Sequence, residues 1–442
     1  MPTEIAVVGT GYVGLTTGAC LAHLGHGVTC GDIDAAKVAR LRQGEITIVE
    51  AGLPEFVEEG LRSGRLEFVE GAADAARDAD VVFLCVPTPQ GADGGADLRY
   101  IEAAAAEIGP VLRAGALVVN KSTVPVGSTR AVERVLGRSD VAVVSNPEFL
   151  REGTAVNDFL HPDRVVIGAD DRAAGERLAE LYAVLDAPVI VTDPASAETI
   201  KYAANGFLAM KISFVNAIAA MCEAVGASVD DVVRGIGADP RIGHEFLRPG
   251  PGWGGSCFPK DSRALIKIAA DYGYDFTLMK GVVDVNDEQR RRMVAKVRAA
   301  AGVERGQGLR GVEVGVLGLT FKAGTDDLRD SPAMAMIDSL RAAGAGVRAH
   351  DPTVHPPVGD RLAELLDGIG VVAAPLDAAA GAHVLVVATE WPEYAQLDLD
   401  KIADVMLAPR AVVDARNLLD PDRVRAAGLR YDGVGRRRDG SA

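Results

Sequence analysis

The chain has 442 residues, 48% hydrophobic and 24% charged, the composition of a globular protein too long for one ordinary core. A formal net charge of -16 excludes a protein that neutralises nucleic-acid phosphates across a basic face, although a local cluster of Lys and Arg can still hold a small anion. The five cysteines (Cys20, Cys30, Cys85, Cys222 and Cys257) form no C-x-x-C pair and no metal-ligand pattern, so neither a disulfide framework nor a metal is expected.

Met1-Pro2-Thr3-Glu4 leads straight into an apolar run, with no basic leader, and no apolar stretch reaches the roughly 20 residues a membrane span needs. The expectation is a cytoplasmic protein with neither membrane nor nucleic acid as partner. Ile5-Val8, Gly27-Asp32, Val81-Val86, Leu117-Asn120, Val141-Val144 and Arg164-Gly168 read as short buried strands separated by helical segments, the first helix running from Gly14 to about Leu24. That alternation predicts an α/β fold with a doubly wound parallel sheet. From Ala195 to Val225 a single long helix is predicted, apolar on more than one side and therefore suited to burial between domains or subunits. Shorter helices continue to about Ala300, broken by an irregular Pro249-Gly255 loop. Alternation resumes with strands at Val312-Gly318, Gly346-His350, His383-Ala388 and Ala411-Asp414, a second and smaller α/β sheet. The expected division is 1–194, 195–300 and 301–430, with 431–442 as a tail whose Arg436-Arg437-Arg438 run is solvated.

Gly9-Thr10-Gly11-Tyr12-Val13-Gly14 is a G-x-G-x-x-G that follows a strand and opens a helix. Its glycines allow a tight turn, close approach of backbone to a pyrophosphate, and tight helix–strand packing, and the helix start supplies free N–H groups. Asp32 ends the second strand, where a carboxylate accepts ribose hydroxyls and repels a 2′-phosphate, so NAD is expected over NADP. Lys37 nearby weakens that preference.

Three stretches are hard to explain as packing. Lys121-Ser122-Thr123-Val124-Pro125-Val126-Gly127 and Asn146-Pro147-Glu148-Phe149-Leu150-Arg151-Glu152-Gly153 each follow a strand, at the sheet edge where ligands bind. Gly254-Gly255-Ser256-Cys257-Phe258-Pro259-Lys260-Asp261 puts a cysteine behind a glycine turn, and a helix begun near Pro259 would favour its thiolate. Glu198, Lys201 and Asn205 share one face of the long helix at i, i+3 and i+7. Lys201 in so apolar a helix is costly unless it meets a charge; that charge could be Glu198, in a merely structural pair, and Asp261 could simply pair with Lys260. The other four cysteines read as small buried hydrophobes.

Together these motifs, with Glu198-x-x-Lys201-Tyr202-x-x-Asn205 and Gly318-Leu319-x-Phe321-Lys322, resemble the UDP-glucose 6-dehydrogenase family over nearly the whole chain. The resemblance implies two Rossmann-like domains joined by a long central helix that forms a homodimer interface. It implies that Cys257 is the nucleophile, that Lys201 and Asp261 steady an oxyanion and a water, and that Asn205 helps hold that oxygen. Thr123 would position the water and Glu148 act as general base. Glu152, Lys260 and Arg329 would join Asp32, Lys37, Thr88 and Thr123 as cofactor contacts. The Glu148-Phe149-Leu150-Arg151-Glu152 segment, the Phe246-Leu247-Arg248-Pro249-Gly250 loop, Gly254, Lys322 and Arg416 would hold a UDP-sugar, with Arg241 reaching across the dimer. One departure is visible: where many relatives read F-V-N-E-I this chain has Phe214-Val215-Asn216-Ala217-Ile218, which bears on helix packing more than on chemistry.

The chemistry implied is oxidation of a sugar alcohol to the acid. It removes four electrons while a nicotinamide takes two, so the aldehyde must be trapped between two hydride transfers, and a thiolate does this. UDP-glucose is the expected substrate, with UDP-N-acetylmannosamine or GDP-mannose as the alternatives. Two rivals stand beside it: a one-step hydroxy-acid dehydrogenase in which Cys257 is structural, and a non-catalytic nucleotide sensor.

Overall fold

The computed structural model describes residues 2–91 and 94–436. It forms two compact units, Met1–Ala204 with Arg263–Tyr274, and Asn205–Ser262 with Asp275–Ala442. Residues 195–300 are thus shared between the two.

The first unit is built on eight strands: β1 (Glu4–Val8), β2 (Gly27–Asp32), β3 (Leu66–Glu70), β4 (Val81–Leu84), β5 (Leu117–Asn120), β6 (Ala142–Ser145), β7 (Val165–Gly168) and β8 (Val189–Thr192). They lie in the order β3-β2-β1-β4-β5-β6-β7-β8, whose first six follow the 3-2-1-4-5-6 order of dinucleotide-binding sheets. The sheet is parallel, as expected, except at one seam. β6 and β7 meet antiparallel at Ser145 and Gly168, so β7 and β8 run against the other six. Apolar side chains on both faces of β1, β4 and β5 bury this sheet in two cores. One holds Val7, Phe83 and Val119 and the other Val8, Leu84 and Val118.

The second unit repeats the plan with β9 (Glu313–Leu317), β10 (Gly346–His350), β11 (Gly370–Val371), β12 (Val384–Val387), β13 (Ala411–Asp414) and β14 (Arg430–Gly433), in the order β11-β10-β9-β12-β13-β14. The turn after the first strand is the same in both. Gly9 and Gly318 have φ of +95° and +97°, and each donates its N–H to the second strand, to Gly31 O at 2.7 Å and His350 O at 2.8 Å. β14 lies where the solvated tail was expected. Tyr431 and Val434 are buried, and Arg436 donates to Asp230 at 2.8 Å and to the Tyr431 hydroxyl at 2.7 Å. Arg437 and Arg438 lie outside the described residues.

The long helix runs from Pro194 to Val225. By length and composition it is apolar enough to cross a bilayer, with a mean hydropathy of 1.5 over its best 18 residues. Several of its polar residues are nevertheless buried and held by partners. Ser213 donates to Val282 O at 2.8 Å and accepts the Trp253 indole N–H at 2.9 Å, and Asn216 accepts the Gly250 N–H at 2.8 Å. That is the pattern of a core helix. Another face remains open, with Phe207, Phe214, Met221 and Val225 all more than half exposed. Ala217, the position of the departure, is exposed between Phe214 and Met221 on that same stripe.

Candidate functional site

In the first unit the glycine turn forms a cradle. A Cβ on Gly9 would lie 2.7 Å from Cys85 O and one on Gly14 only 1.8 Å from Gly9 O, so neither position admits a side chain. A Cβ on Gly11 would meet nothing within 4 Å, which leaves backbone open to a phosphate at the start of helix Tyr12–His23. Asp32 ends β2 beside this turn. Its Oδ2 accepts from Thr10 N (3.0 Å), Thr10 Oγ1 (2.5 Å) and Lys37 Nζ (3.0 Å), and its Oδ1 from Asp34 N (3.1 Å). Burial works against the carboxylate, but the Thr10, Asp34 and Lys37 donors outweigh it and hold its pKa down to about 2. The residues present therefore fit a dinucleotide with a free 2′-hydroxyl. Thr88 Oγ1 donates to Thr123 O at 2.9 Å, bringing two expected cofactor contacts together. The Tyr12 hydroxyl is buried without a partner among the described residues, and burial, with Glu50 and Glu148 adding to it, pushes its pKa up.

Lys201 meets its charge in Glu148, not in Glu198. The Lys201 ammonium lies 2.9 Å from Glu148 Oε1, and the two side chains are 4% and 5% exposed. The other Glu148 oxygen accepts the Leu150 N–H at 2.6 Å, which bends the segment back on itself. Phe149 is flanked by cations, with the Arg164 guanidinium 3.6 Å and the Lys201 ammonium 5.4 Å from its ring centre. Arg151 is exposed and paired with Asp158, whereas Glu152 is half-buried. Glu198, buried, turns to the Lys121–Gly127 stretch and accepts from Gly127 N, Thr129 N and Thr129 Oγ1.

Two buried groups here escaped the sequence reading. Among the described residues Lys121 donates only to neutral partners, Asn146 Oδ1 at 3.0 Å and the Tyr182 hydroxyl at 3.5 Å, and its burial lowers its pKa to about 8. Glu50 accepts the Gly153 and Ala155 N–H groups at 2.7 and 2.8 Å and so pins the far end of the Asn146–Gly153 segment. Lys121 stood within a recognised motif, but a charge directly after a strand reads as solvent-facing. Nothing near Glu50 in the chain marks it.

The second unit carries the cysteine. A Cβ on Gly254 would lie 2.1 Å from Asp330 O, and Gly255 (φ +80°) packs on the Phe321 ring and donates to Arg329 O at 3.1 Å. This tight glycine turn delivers Cys257 to the start of helix Phe258–Asp271, where its carbonyl accepts the Asp261 N–H at 2.8 Å. No cysteine is in a disulfide, and Cys257 alone of the five is not buried. Asp261 is buried between two partners, Lys260 at 2.7 Å and Asn205 Nδ2 at 2.6 Å. The bland pairing with Lys260 is thus real but not the whole account, and Asn205 has one donor committed to Asp261.

Of the expected sugar-nucleotide residues, Phe246 to Gly250, Gly254, Lys322, Arg416 and Arg241 lie in this same unit, whereas Glu148 to Glu152 lie in the first. Phe246 adopts φ +61°, a left-handed conformation that costs a non-glycine residue about 1–3 kcal/mol and is retained where a loop must hold a particular shape. Leu247 is buried, Arg248 is exposed, and Pro249 leads into Gly250, which Asn216 and Gln289 hold by its N–H and carbonyl. A Cβ on Gly250 would lie 3.6 Å from the Arg416 guanidinium, which donates to Phe321 O at 2.6 Å beside Lys322. Arg329 is exposed and paired with Asp327, and Arg241, also exposed, is clamped by Asp239.

A dinucleotide cradle on one sheet, a second sheet of the same order and a cysteine delivered to a helix start define a nucleotide-dependent dehydrogenase. The comparisons with known proteins go further. Residues 3–186 match the NAD binding domain of the UDP-glucose/GDP-mannose dehydrogenase family, 195–288 its central domain and 315–421 its UDP binding domain. A UDP-glucose 6-dehydrogenase from Rhizobium meliloti is 47% identical, with 98% of this chain and 99% of the relative covered. The structure of a UDP-glucose dehydrogenase from Pyrobaculum islandicum is 40% identical with a TM-score of 0.89, covering 99% of this chain and 98% of that one. The structure of a UDP-D-ManNAc dehydrogenase from Pyrococcus horikoshii is 27% identical with a TM-score of 0.85, covering 98% and 99%. The chain belongs to the UDP-glucose/GDP-mannose dehydrogenase family.

Two outcomes follow from the first unit. Replacing Asp32 by Asn removes the charge that repels a 2′-phosphate while keeping Lys37, so the ratio of kcat/KM for NAD over NADP should fall by about tenfold or more; an unchanged ratio would assign the preference elsewhere. Lys121 is about 8 when folded against about 10.4 in an unfolded chain, so between those values the unfolded state binds more protons and stability rises with pH. Urea midpoints at pH 7.5 and 9.5 should show that rise, and Lys121→Met should lack its share of it.

Proposed function

We propose that this protein oxidises UDP-glucose to UDP-glucuronate in the cytoplasm, using two NAD per sugar and Cys257 to hold the half-oxidised intermediate. The reading is carried by Cys257: it alone among the cysteines is partly exposed, and it follows a glycine turn whose tight packing leaves no room for side chains. Bound NAD, held by Gly9, Gly11, Tyr12, Val13, Gly14, Asp32 and Lys37, supplies the hydride acceptor in both oxidation steps. Thr88, Thr123, Glu152, Lys260 and Arg329 complete its contacts.

The protein's own groups do the rest. As the C6 hydroxyl gives its proton to water and the C6 carbon gives up a hydride, the Lys201 ammonium and the Asn205 amide steady the negative oxygen, a contribution of about 3–4 kcal/mol for a well-placed donor. The Cys257 sulfur then adds to the aldehyde carbon and the carbonyl oxygen becomes the thiohemiacetal oxygen. Loss of that carbon's hydrogen as hydride leaves a thioester. Water positioned by Thr123 and Asp261 gives its proton to Glu148 and attacks the thioester carbon, the carbon–sulfur bond breaks, and acid and thiol are released. Lys201 and Asn205 lie one turn apart on one continuous helix, which supports their acting on the same oxygen.

UDP-glucose is favoured over UDP-N-acetylmannosamine and GDP-mannose by the Lys201-Tyr202-Ala203-Ala204-Asn205 and Ser256-Cys257-Phe258-Pro259 stretches, and by identities of 38–47% to UDP-glucose enzymes against 27% to the ManNAc enzyme. Glu148 to Glu152, Phe246 to Gly250, Gly254, Lys322 and Arg416 form the sugar-nucleotide contacts. The apolar stripe of the long helix is the homodimer face, where Arg241 would reach the partner.

With NAD and a panel of nucleotide sugars, UDP-glucose should give two reduced NAD per acid formed. Cys257→Ala should abolish acid while NAD binding persists; acid formation by that variant would end the covalent mechanism. Lys201→Ala should lower turnover far more than NAD affinity. For the assembly, Phe207→Glu combined with Phe214→Glu should convert a dimer into monomers by sedimentation, and a monomeric parent protein would refute the interface.

A further inference from the structure

Glu198 lies in a recognised motif yet has no part in the chemistry above. It is 2% exposed, and its carboxylate takes three donors: Gly127 N–H at 2.6 Å, Thr129 N–H at 2.9 Å and the Thr129 hydroxyl at 2.7 Å. Those donors open the helix Ser128–Leu136, whose own N-cap residue is Gly127, at φ +95° and without a capping side chain. A helix start leaves N–H groups unmatched, and a buried start needs an acceptor from somewhere. Here the acceptor comes from a distant part of the chain, the first turns of the long helix. The loop ending at Gly127 begins at Thr123, whose carbonyl is held by Thr88. Thr88, in the loop past β4, therefore holds one end of the loop and Glu198 the other.

Lys201 follows Glu198 by three residues on the same helix and binds Glu148. We infer that Glu198 is a positioning residue: by capping the Ser128–Leu136 helix from outside, it ties the Thr123 loop to the helix that carries Lys201, so that the water-positioning threonine and the Lys201–Glu148 pair are set by one rigid element. This rests on the thioester mechanism proposed above. The carboxylate is suited to the task because it offers acceptors only. A glutamine would turn an NH2 toward at least one of the three donors and push the loop off its anchor.

The test uses the full-length protein and three measurements on Glu198→Gln and on Thr129→Val, the latter removing one donor and leaving the carboxylate in place. In Glu198→Gln, kcat should fall by between about tenfold and a hundredfold, the scale of a 1 Å misplacement of a reacting group, while KM for NAD, to which Thr123 is one contact among several, changes by a much smaller factor. Because hydrolysis is the step that loses its water, the share of enzyme carrying a covalent sugar after acid quench, read by intact mass, should rise. Thr129→Val should show the same pattern at smaller amplitude, with thermal midpoints of both variants near that of the parent. Unchanged kcat and adduct level in Glu198→Gln would overturn the inference. So would parallel losses of kcat, NAD affinity and thermal midpoint in both variants, which would make Glu198 a general structural anchor. One reduced NAD per sugar in the parent protein would instead overturn the four-electron reading beneath it.

Discussion

The ion pair between Lys201 and Glu148 is the contact on which the arrangement of the first unit turns. Both charges are almost wholly out of water, so each carries a desolvation penalty that only a close opposite charge can offset. Their 2.9 Å separation, with the Leu150 N–H on the second Glu148 oxygen, supplies that offset and leaves neither carboxylate oxygen idle. Removing one partner strands the other, at a cost of about 3–5 kcal/mol. Such a pair is a poor stabiliser compared with two well-packed apolar residues, but it is selective. It is satisfied in one register of the helix against the end of β6 and in no neighbouring one. A lysine displaced by one residue on Pro194–Val225 would point a third of a turn away.

The long helix owes its position to this requirement and to Glu198 beside it. Its apolar residues alone specify little, since they occur on several faces and would tolerate rotation about the axis. The polar residues remove that freedom. Within the first unit Glu198 and Lys201 fix the start of the helix through their partners, and within the second, taken by itself, Ser213 and Asn216 fix their own stretch. The apolar stripe through Phe207, Ala217 and Met221 is then what is left over, facing outward. Ala217 lies exposed within that stripe and keeps it apolar.

What the chain disclosed and what it concealed divide along a physical line. β1, β4 and β5 were legible because both faces are buried and the run is apolar throughout. β3, with Glu67 and Glu70 outward, and β14, beginning at Arg430, lie at sheet edges, and their mixed composition reads as loop. β11 is two residues long and carries no signal. The residues of the site were legible as motifs, but their partners were not. Spacing alone offers Glu198 to Lys201, three positions apart on one helix face. That pair would stabilise an exposed helix weakly. In a buried setting each charge finds a better-enclosed partner far away in sequence, Thr129 and Gly127 for one and Glu148 for the other, and no local rule anticipates the exchange. Lys121 was hidden for a related reason: a buried lysine held only by an amide and a phenol is costly, and a reading from cost alone places it in solvent.

The duplicated turn shows how one local device acquires two uses. After β1 and after β9 a left-handed glycine donates to the next strand, and an aspartate ending that strand accepts the N–H and hydroxyl of a threonine in the turn, Thr10 to Asp32 and Thr320 to Asp351. The two aspartates differ in what remains of them. Asp351 is fully buried and also takes Leu319 N–H, Trp391 Nε1 and both donors of Thr353, so its oxygens are occupied. Asp32 keeps some exposure, and its Oδ1 has a single backbone donor, leaving a lone pair for a hydroxyl. A ribose can thus be recognised by its diol at the first turn and not at the second. A nucleotide on the second sheet must be held by other groups, and Arg416 and Lys322 lie past the ends of β13 and β9, where ligands of such sheets bind. The difference between the two halves of this protein thus comes down to whether a carboxylate has any acceptor capacity left once the fold has used it.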